Sequence, residues 1–285
     1  MRAIKFSPRA VAFLDILGYK ELVQSAHDTA AGLKRLSRLI QKLRSNAPLN
    51  WVVNPTVPRD LHPRSLEISD SIILSTPLTP PNYPNNWGLA ILVMRCAQIA
   101  AIFLEEGYVL NGAINIGPIQ HTARNIVGKA YQDAYLMQST VCSPAIVLCP
   151  DAVAAWHTLG LSPLCLHRSV VFKGKDADCK PTLEERGAEI VNVFEPKYMN
   201  SVRAISENGP PPVMDDAWLS DCIDRIDATI AENVARFGPG TPTRNTVVLA
   251  KWTWLQQFFR DHGRPAIEQQ FSMRPDLIKW TLPGT

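Results

Sequence analysis

Two aspartates stand where a folded chain rarely tolerates a charge. Asp15 lies in Ala12-Phe13-Leu14-Asp15-Ile16-Leu17-Gly18-Tyr19, and Asp70 in Leu66-Glu67-Ile68-Ser69-Asp70-Ser71-Ile72-Ile73-Leu74-Ser75. Each is a lone carboxylate in an apolar, strand-like run, and neither has a Lys or Arg beside it in sequence. Burying such a charge unpaired is costly. Two of them brought together make a site for hard divalent cations, magnesium or manganese.

The elements that must position them follow from periodicity. Val11 to Leu17 reads as a short buried strand, broken by Gly18, after which Tyr19 to Ser25 opens a helix. Ala30 to Ser45, with Leu33, Leu36, Ile40 and Leu43 at helical spacing, reads as a second helix. Leu66 to Ser75 reads as a hairpin turning at Ser69-Asp70-Ser71, which puts Asp70 at its tip. Trp87 to Glu106 reads as a buried helix. Val109 to Ile116 reads as a strand ended by Gly117-Pro118, with Ile119 to Val127 returning. Lys129 to Ser139 and Asp151 to Leu159 are helices, with Ala145 to Leu148, Leu166 to Phe172 and Glu189 to Phe194 as strands. The order β-α-α-β-β-α-β-β-α-β-α-β-β predicts an α/β or α+β sandwich. Residues 1–200 are expected to form the main domain. The proline-rich break at Gly209-Pro210-Pro211-Pro212 precedes a helical extension over 213–285, whose apolar faces need a packing partner.

Composition narrows the function classes. The 285 residues are 46% hydrophobic and 19% charged, with a net charge of +3, too small to argue for nucleic acid or an anionic membrane. The N-terminus lacks the apolar core of a signal peptide, and Leu89 to Leu104 is short for a bilayer span. Six cysteines without a CxxC pair suggest reduced thiols, so a cytoplasmic protein is expected. No phosphate-binding P-loop, dinucleotide fingerprint, nucleophile elbow or zinc-binding HExxH is present.

Five segments in order resemble the class III nucleotide cyclase catalytic domain, across roughly residues 8 to 196. Phe13-Leu14-Asp15-Ile16-Leu17-Gly18-Tyr19 is similar to that family's first strand, and Ile68-Ser69-Asp70-Ser71 to the hairpin carrying its second metal aspartate. Leu110 to Pro118 resembles the "R-x-G-I-x-x-G-P" strand, Val127 to Ala134 the following strand-to-helix step, and Val171-Phe172-Lys173-Gly174-Lys175 the "V-K-G-K" segment. The wording "Leu-Asp-Ile-Leu-Gly-Tyr" and "Gly-Lys-Ala-Tyr-Gln-Asp-Ala-Tyr" is nearer the bacterial pyrimidine cyclases of the Pycsar anti-phage systems.

The resemblance implies cyclisation of a pyrimidine nucleoside triphosphate, UTP before CTP, to the 3′,5′-cyclic monophosphate and pyrophosphate, with the product activating a separate effector. It implies two Mg²⁺ or Mn²⁺ ions per site on Asp15, Asp70 and the backbone carbonyl of Ile16. It implies a head-to-tail homodimer with composite sites, one subunit giving Asp15 and Asp70 and the other Lys173 and the helix from Lys129. The turn Leu17-Gly18-Tyr19 would offer backbone N–H groups to the β- and γ-phosphates. Lys173 is the candidate phosphate cation, with Lys175 second. Gln132 stands where purine cyclases carry the ribose-holding Asn, and Tyr131 is a candidate base or ribose contact. The sequence departs from purine cyclases at Leu66, Asn111, Gln132 and Leu136. A purine cyclase and a catalytically inactive nucleotide-binding scaffold are the rival readings.

Overall fold

The computed structural model describes residues 4–46, 62–105, 107–161, 164–175, 179–194, 216–241 and 246–265. The chain divides into two compact units, residues 1–193 and 194–285. The prolines of 210–212 lie outside the described residues.

The first unit is a mixed α+β sandwich. Its strands are β1 (Ser7–Ile16), β2 (Arg64–Ile68), β3 (Ser71–Pro77), β4 (Leu110–His121), β5 (Ile126–Val127), β6 (Ile146–Leu148), β7 (Cys165–Lys175) and β8 (Pro181–Val191). Its helices are α1 (Tyr19–Asp28), α2 (Ala30–Asn46), α3 (Trp87–Glu105), α4 (Lys129–Thr140) and α5 (Pro150–Leu159). The sheet order is β2-β3-β1-β4-β6-β8-β7, with β5 paired to β4 off that path. β1 is antiparallel to both β3 and β4, and β4 runs parallel to β6.

β1 is central because its sequence is apolar on both sides. Ala10, Ala12, Leu14 and Ile16 point to one face, while Arg9, Val11, Phe13 and Asp15 point to the other. The even face is covered by α3, an apolar helix whose Gly88 carbonyl accepts a 2.7 Å hydrogen bond from Thr76 Oγ1. The odd face is covered by α4. The Phe13 ring lies 6.2 Å from that of Tyr131 and 5.2 Å, edge-on, from that of Tyr135. α1 and α2 pack so closely that a Cβ on Gly32 would fall 2.1 Å from the Ser25 carbonyl oxygen.

Several strand limits differ from the sequence expectation, most of all those of β4 and of the β7–β8 ribbon. β4 does not end at Gly117-Pro118. Pro118 pairs with Pro8 and Gly117 with Arg9, so the strand continues to His121 before turning back at Thr122–Asn125. Gly117 has φ +153, which a side chain seldom adopts, and a Cβ there would meet Ala130 of α4 at 3.1 Å. The residue pair that reads as a turn is therefore a kink inside one strand. The β7–β8 ribbon is also longer than its apolar residues suggest. Glu184, Glu185 and Arg186 are strand residues because each has a partner across on β7, not because they are buried.

The second unit contains α6 (Asp216–Phe237) and α7 (Thr246–Phe258), followed by a π turn over Phe259–Gly263. Ile223, Ile226 and Ile230 form the buried stripe of α6. Phe194 packs on Phe258 and Phe259 at 5.4 and 5.0 Å between ring centres. Arg264 reaches Asp227 at 3.4 Å. No described helix is long and apolar enough to cross a membrane.

Candidate functional site

The antiparallel register brings the two aspartates together. Asp15 is directly opposite Ser71 on β3, so Asp70 is one residue from Asp15's partner. Ser69 and Asp70 form the two-residue turn between β2 and β3, with Ser69 at φ +59. Both aspartates are half-buried. Asp15 leaves the sheet on the face covered by α4, at the end of β1 where the chain turns into α1.

Neutral donors brace the Asp15 carboxylate. Ser71 Oγ donates to Oδ1 at 3.3 Å and Gln138 Nε2 to Oδ2 at 3.4 Å. The same Gln138 amide donates to Asn111 Oδ1 at 3.1 Å, and Asn111 Nδ2 donates to the Val141 carbonyl at 3.2 Å. Asn111 stands opposite Asp15 on β4. Bonds from neutral groups orient a carboxylate while leaving its charge in place, the state a cation site needs.

Gln138 escaped the sequence reading. The signal was available: Ala130, Ala134 and Gln138 recur every four residues, and all three are buried. A long amide in a stripe otherwise made of alanines must find partners inside the protein. The buried stripe of α4 thus ends on the carboxylate.

Chains of known structure include several that resemble this one in outline. No family model and no curated protein matches it. A dimeric guanylyl cyclase domain of the RhoGC fusion protein from the aquatic fungus Blastocladiella emersonii is 15% identical, over 67% of this chain and 98% of that one, with a TM-score of 0.41. An adenylate/guanylate cyclase/hydrolase from Silicibacter pomeroyi is 15% identical over 66% and 99%, with a TM-score of 0.41. The catalytic core of a rhodopsin-guanylyl cyclase with converted specificity, in complex with ATPαS, is 14% identical over 66% and 96%, with a TM-score of 0.40. None of these likenesses carries a residue role from one chain to the other, and the chemistry here rests on this chain's own side chains.

The remaining expected residues divide into three groups. Ile16, Leu17, Gly18 and Tyr19 follow Asp15 directly. Gly18 takes the left-handed conformation, φ +81, and forms the N-cap of α1. The Leu17 amide donates to the Val109 carbonyl at 2.9 Å, so it is unavailable to a phosphate. The first intrahelical bond of α1 runs from Leu22 N to Gly18 O. The amides of Tyr19 and Lys20 therefore precede the helical ladder and face outward from the helix start.

Tyr131 and Gln132 are on α4. Tyr131 is half-buried against Phe13, and burial with Tyr135 nearby pushes its hydroxyl pKa up. Gln132 and Leu136 are exposed on the outer side of the helix, away from the stripe that touches Asp15. Lys173 and Lys175 are exposed on β7, the edge strand four places from β1. The neighbouring Phe172 bridges Val141, whose carbonyl holds Asn111. The sheet thus joins Asp15 with Asp70 and α1, but it sets Gln132 and the two lysines on outward surfaces.

The donor set suits a hard cation. Among the described residues no three His, Cys, Asp or Glu side chains converge on one metal-sized centre. Two carboxylates and a backbone carbonyl are oxygen ligands of the kind magnesium takes.

Proposed function

We propose that the protein is a divalent-metal-dependent nucleotide cyclase that converts a pyrimidine nucleoside triphosphate, UTP before CTP, to its 3′,5′-cyclic monophosphate and pyrophosphate. The observation that carries the reading is the placement of Asp70 beside Ser71, opposite a carboxylate that Ser71 and Gln138 hold in orientation.

Asp15, Asp70 and the Ile16 carbonyl would hold two Mg²⁺ or Mn²⁺ ions. When bound, such ions lower the pKa of the ribose 3′-hydroxyl and offset the triphosphate's charge. The outward amides at Tyr19 and Lys20 receive the β- and γ-phosphates at the positive end of α1. Gly18 sets that turn. Asn111 is 3% exposed and spends both ends of its amide on Gln138 and Val141, so it reads no base. Leu66, on the same sheet face, offers no hydrogen bond either. Both support a site without the usual purine-reading groups.

A head-to-tail homodimer completes the reading. Ile68, Tyr135 and Leu136 are 51%, 49% and 59% exposed near the aspartate end of the α4-covered side, an apolar rim that a second copy would cover. Gln132, Lys173 and Lys175 then serve the partner's aspartates rather than their own. The protein would act in the cytoplasm, its cyclic product serving as a second messenger that activates a separate effector in anti-phage defence.

The test is to incubate purified protein with Mn²⁺ and each of the four nucleoside triphosphates, identifying products by mass spectrometry. A cyclic pyrimidine lost in Asp70→Ala supports the reading. A cyclic purine product alone overturns the pyrimidine assignment. No turnover of any triphosphate overturns the enzyme.

A further inference from the structure

The same sheet face carries a second polar cluster, and its charged members are both cations. Arg9 is 8% exposed, Ser75 is fully buried and His121 is 3% exposed. Arg9 Nε donates to Ser75 Oγ at 2.9 Å, and its Nη2 donates to the Ser75 carbonyl at 3.0 Å. Ser75 Oγ and His121 Nδ1 are 2.8 Å apart. Arg64, exposed on edge strand β2, donates through Nη1 to the His121 carbonyl.

Proton counting favours one histidine tautomer, the one that satisfies the most groups. The Ser75 oxygen accepts from Arg9, and among the described residues the remaining partner for its own proton is His121 Nδ1. Nδ1 is therefore the acceptor and Nε2 carries the hydrogen. That Nε2–H is buried and has no acceptor among the described residues. Burial and the two guanidinium charges push the His121 pKa down to about 4, so the ring is neutral at physiological pH. Burial and Arg64 likewise lower Arg9, to about 10. Among the described residues no carboxylate pairs with Arg9, Arg64 or His121. Two cations and an unanswered N–H thus meet at one place with no negative group.

We infer that Arg9, Arg64 and the His121 Nε2–H form a binding site for a phosphate-class oxyanion. Two guanidinium charges beside a buried, unanswered ring N–H, with no carboxylate paired to them among the described residues, are the electrostatic complement of an oxyanion. Arg64 is the exposed member and opens the way in, because its guanidinium stands on an edge strand with solvent beside it. The site is separate from the aspartates. Arg9 is six residues along β1 from Asp15, roughly 20 Å at about 3.3 Å per residue. It holds whatever reaction the aspartates run.

The experiment titrates inorganic phosphate into the full-length protein by calorimetry, with a chelator present and ionic strength matched by chloride. Saturable binding is expected in the wild type and in Asp70→Asn. Arg64→Gln, an exposed change compatible with folding, should weaken it about tenfold or more, the loss expected for a charge-assisted hydrogen bond. Ser75→Ala, which releases both Arg9 and His121, should weaken it too. UMP displacing phosphate identifies a nucleotide phosphoryl group as the source, and phosphate binding that UMP leaves untouched identifies the free ion; both support the site. No saturable binding, binding that Arg64→Gln leaves intact, or binding lost in Asp70→Asn overturns it.

Discussion

At one end of the α4-covered sheet face, Asp15 sets a carboxylate against Ser71 and Gln138. At the other end, Arg9 sets a guanidinium against Ser75. In both places neutral groups on adjoining strands or on α4 contact the charged side chain. The ends differ in access. The aspartates are half-buried at a strand terminus and a hairpin tip, whereas Arg9 and His121 are almost wholly enclosed by β3 and by the kinked end of β4. A half-open carboxylate pair can exchange a hydrated cation with solvent. An enclosed cluster of donors pays for its burial in stability and responds to pH. On the two proposals, one sheet face would hold a cation at one end and an oxyanion at the other.

The largest expected effect tests the aspartate end. Asp70→Ala should cut cyclisation about 1000-fold or more, since ions on such a pair supply several kcal/mol of charge stabilisation. A variant within tenfold of wild type in the Mn²⁺ assay would remove Asp70 from the mechanism.

Acid should act on the other end. Unfolded histidine takes up a proton near pH 6.5, while folded His121 stays neutral until about pH 4. Stability is therefore full above about pH 6.5 and falls as pH drops through this window, by about 3 kcal/mol from this group. Urea unfolding at pH 7 and pH 4 should show His121→Gln losing less stability than wild type. Equal losses in both proteins would break the contrast between the two ends.

Gln138→Leu should lower metal affinity or turnover by about 10- to 100-fold, the range for groups that orient a metal ligand. Its signature is a raised Mn²⁺ concentration for half-maximal rate. A drop in thermal stability with unchanged metal dependence would make Gln138 a packing residue instead. The smallest effect belongs to Gly18→Ala. Its surroundings hold no atom within 4 Å of a new Cβ, so the cost is backbone strain alone, about 1 kcal/mol at φ +81. A neutral denaturant midpoint would show that the turn relaxes.

Much of the fold was legible because most elements here have their own local signature. The thirteen-element order of the first unit appears as the periodicities predict, and the α3 run is buried as its composition demands. Gly117-Pro118 was misread because glycine and proline usually end a strand. Here β1 supplies a partner for each, and pairing overrode the local preference. The charged half of β8 was missed for a related reason: its strand state comes from β7 across the ribbon, which no local pattern reports.

By itself the sequence determined that two unaccompanied carboxylates sit at strand positions, because a charge in an apolar run is visible without coordinates. It also determined the elements bearing them, because hydrophobic period is a local property. Only the tertiary structure decided that Asp15 and Asp70 adjoin and that Gln138 reaches the first of them. The antiparallel register, and α4 crossing β1, settle both across 55 and 123 residues of sequence. Only the structure, again, gathered Arg9, Arg64, Ser75 and His121 from four strands. Their juxtaposition depends on a kink in β4 that the sequence presents as an ending.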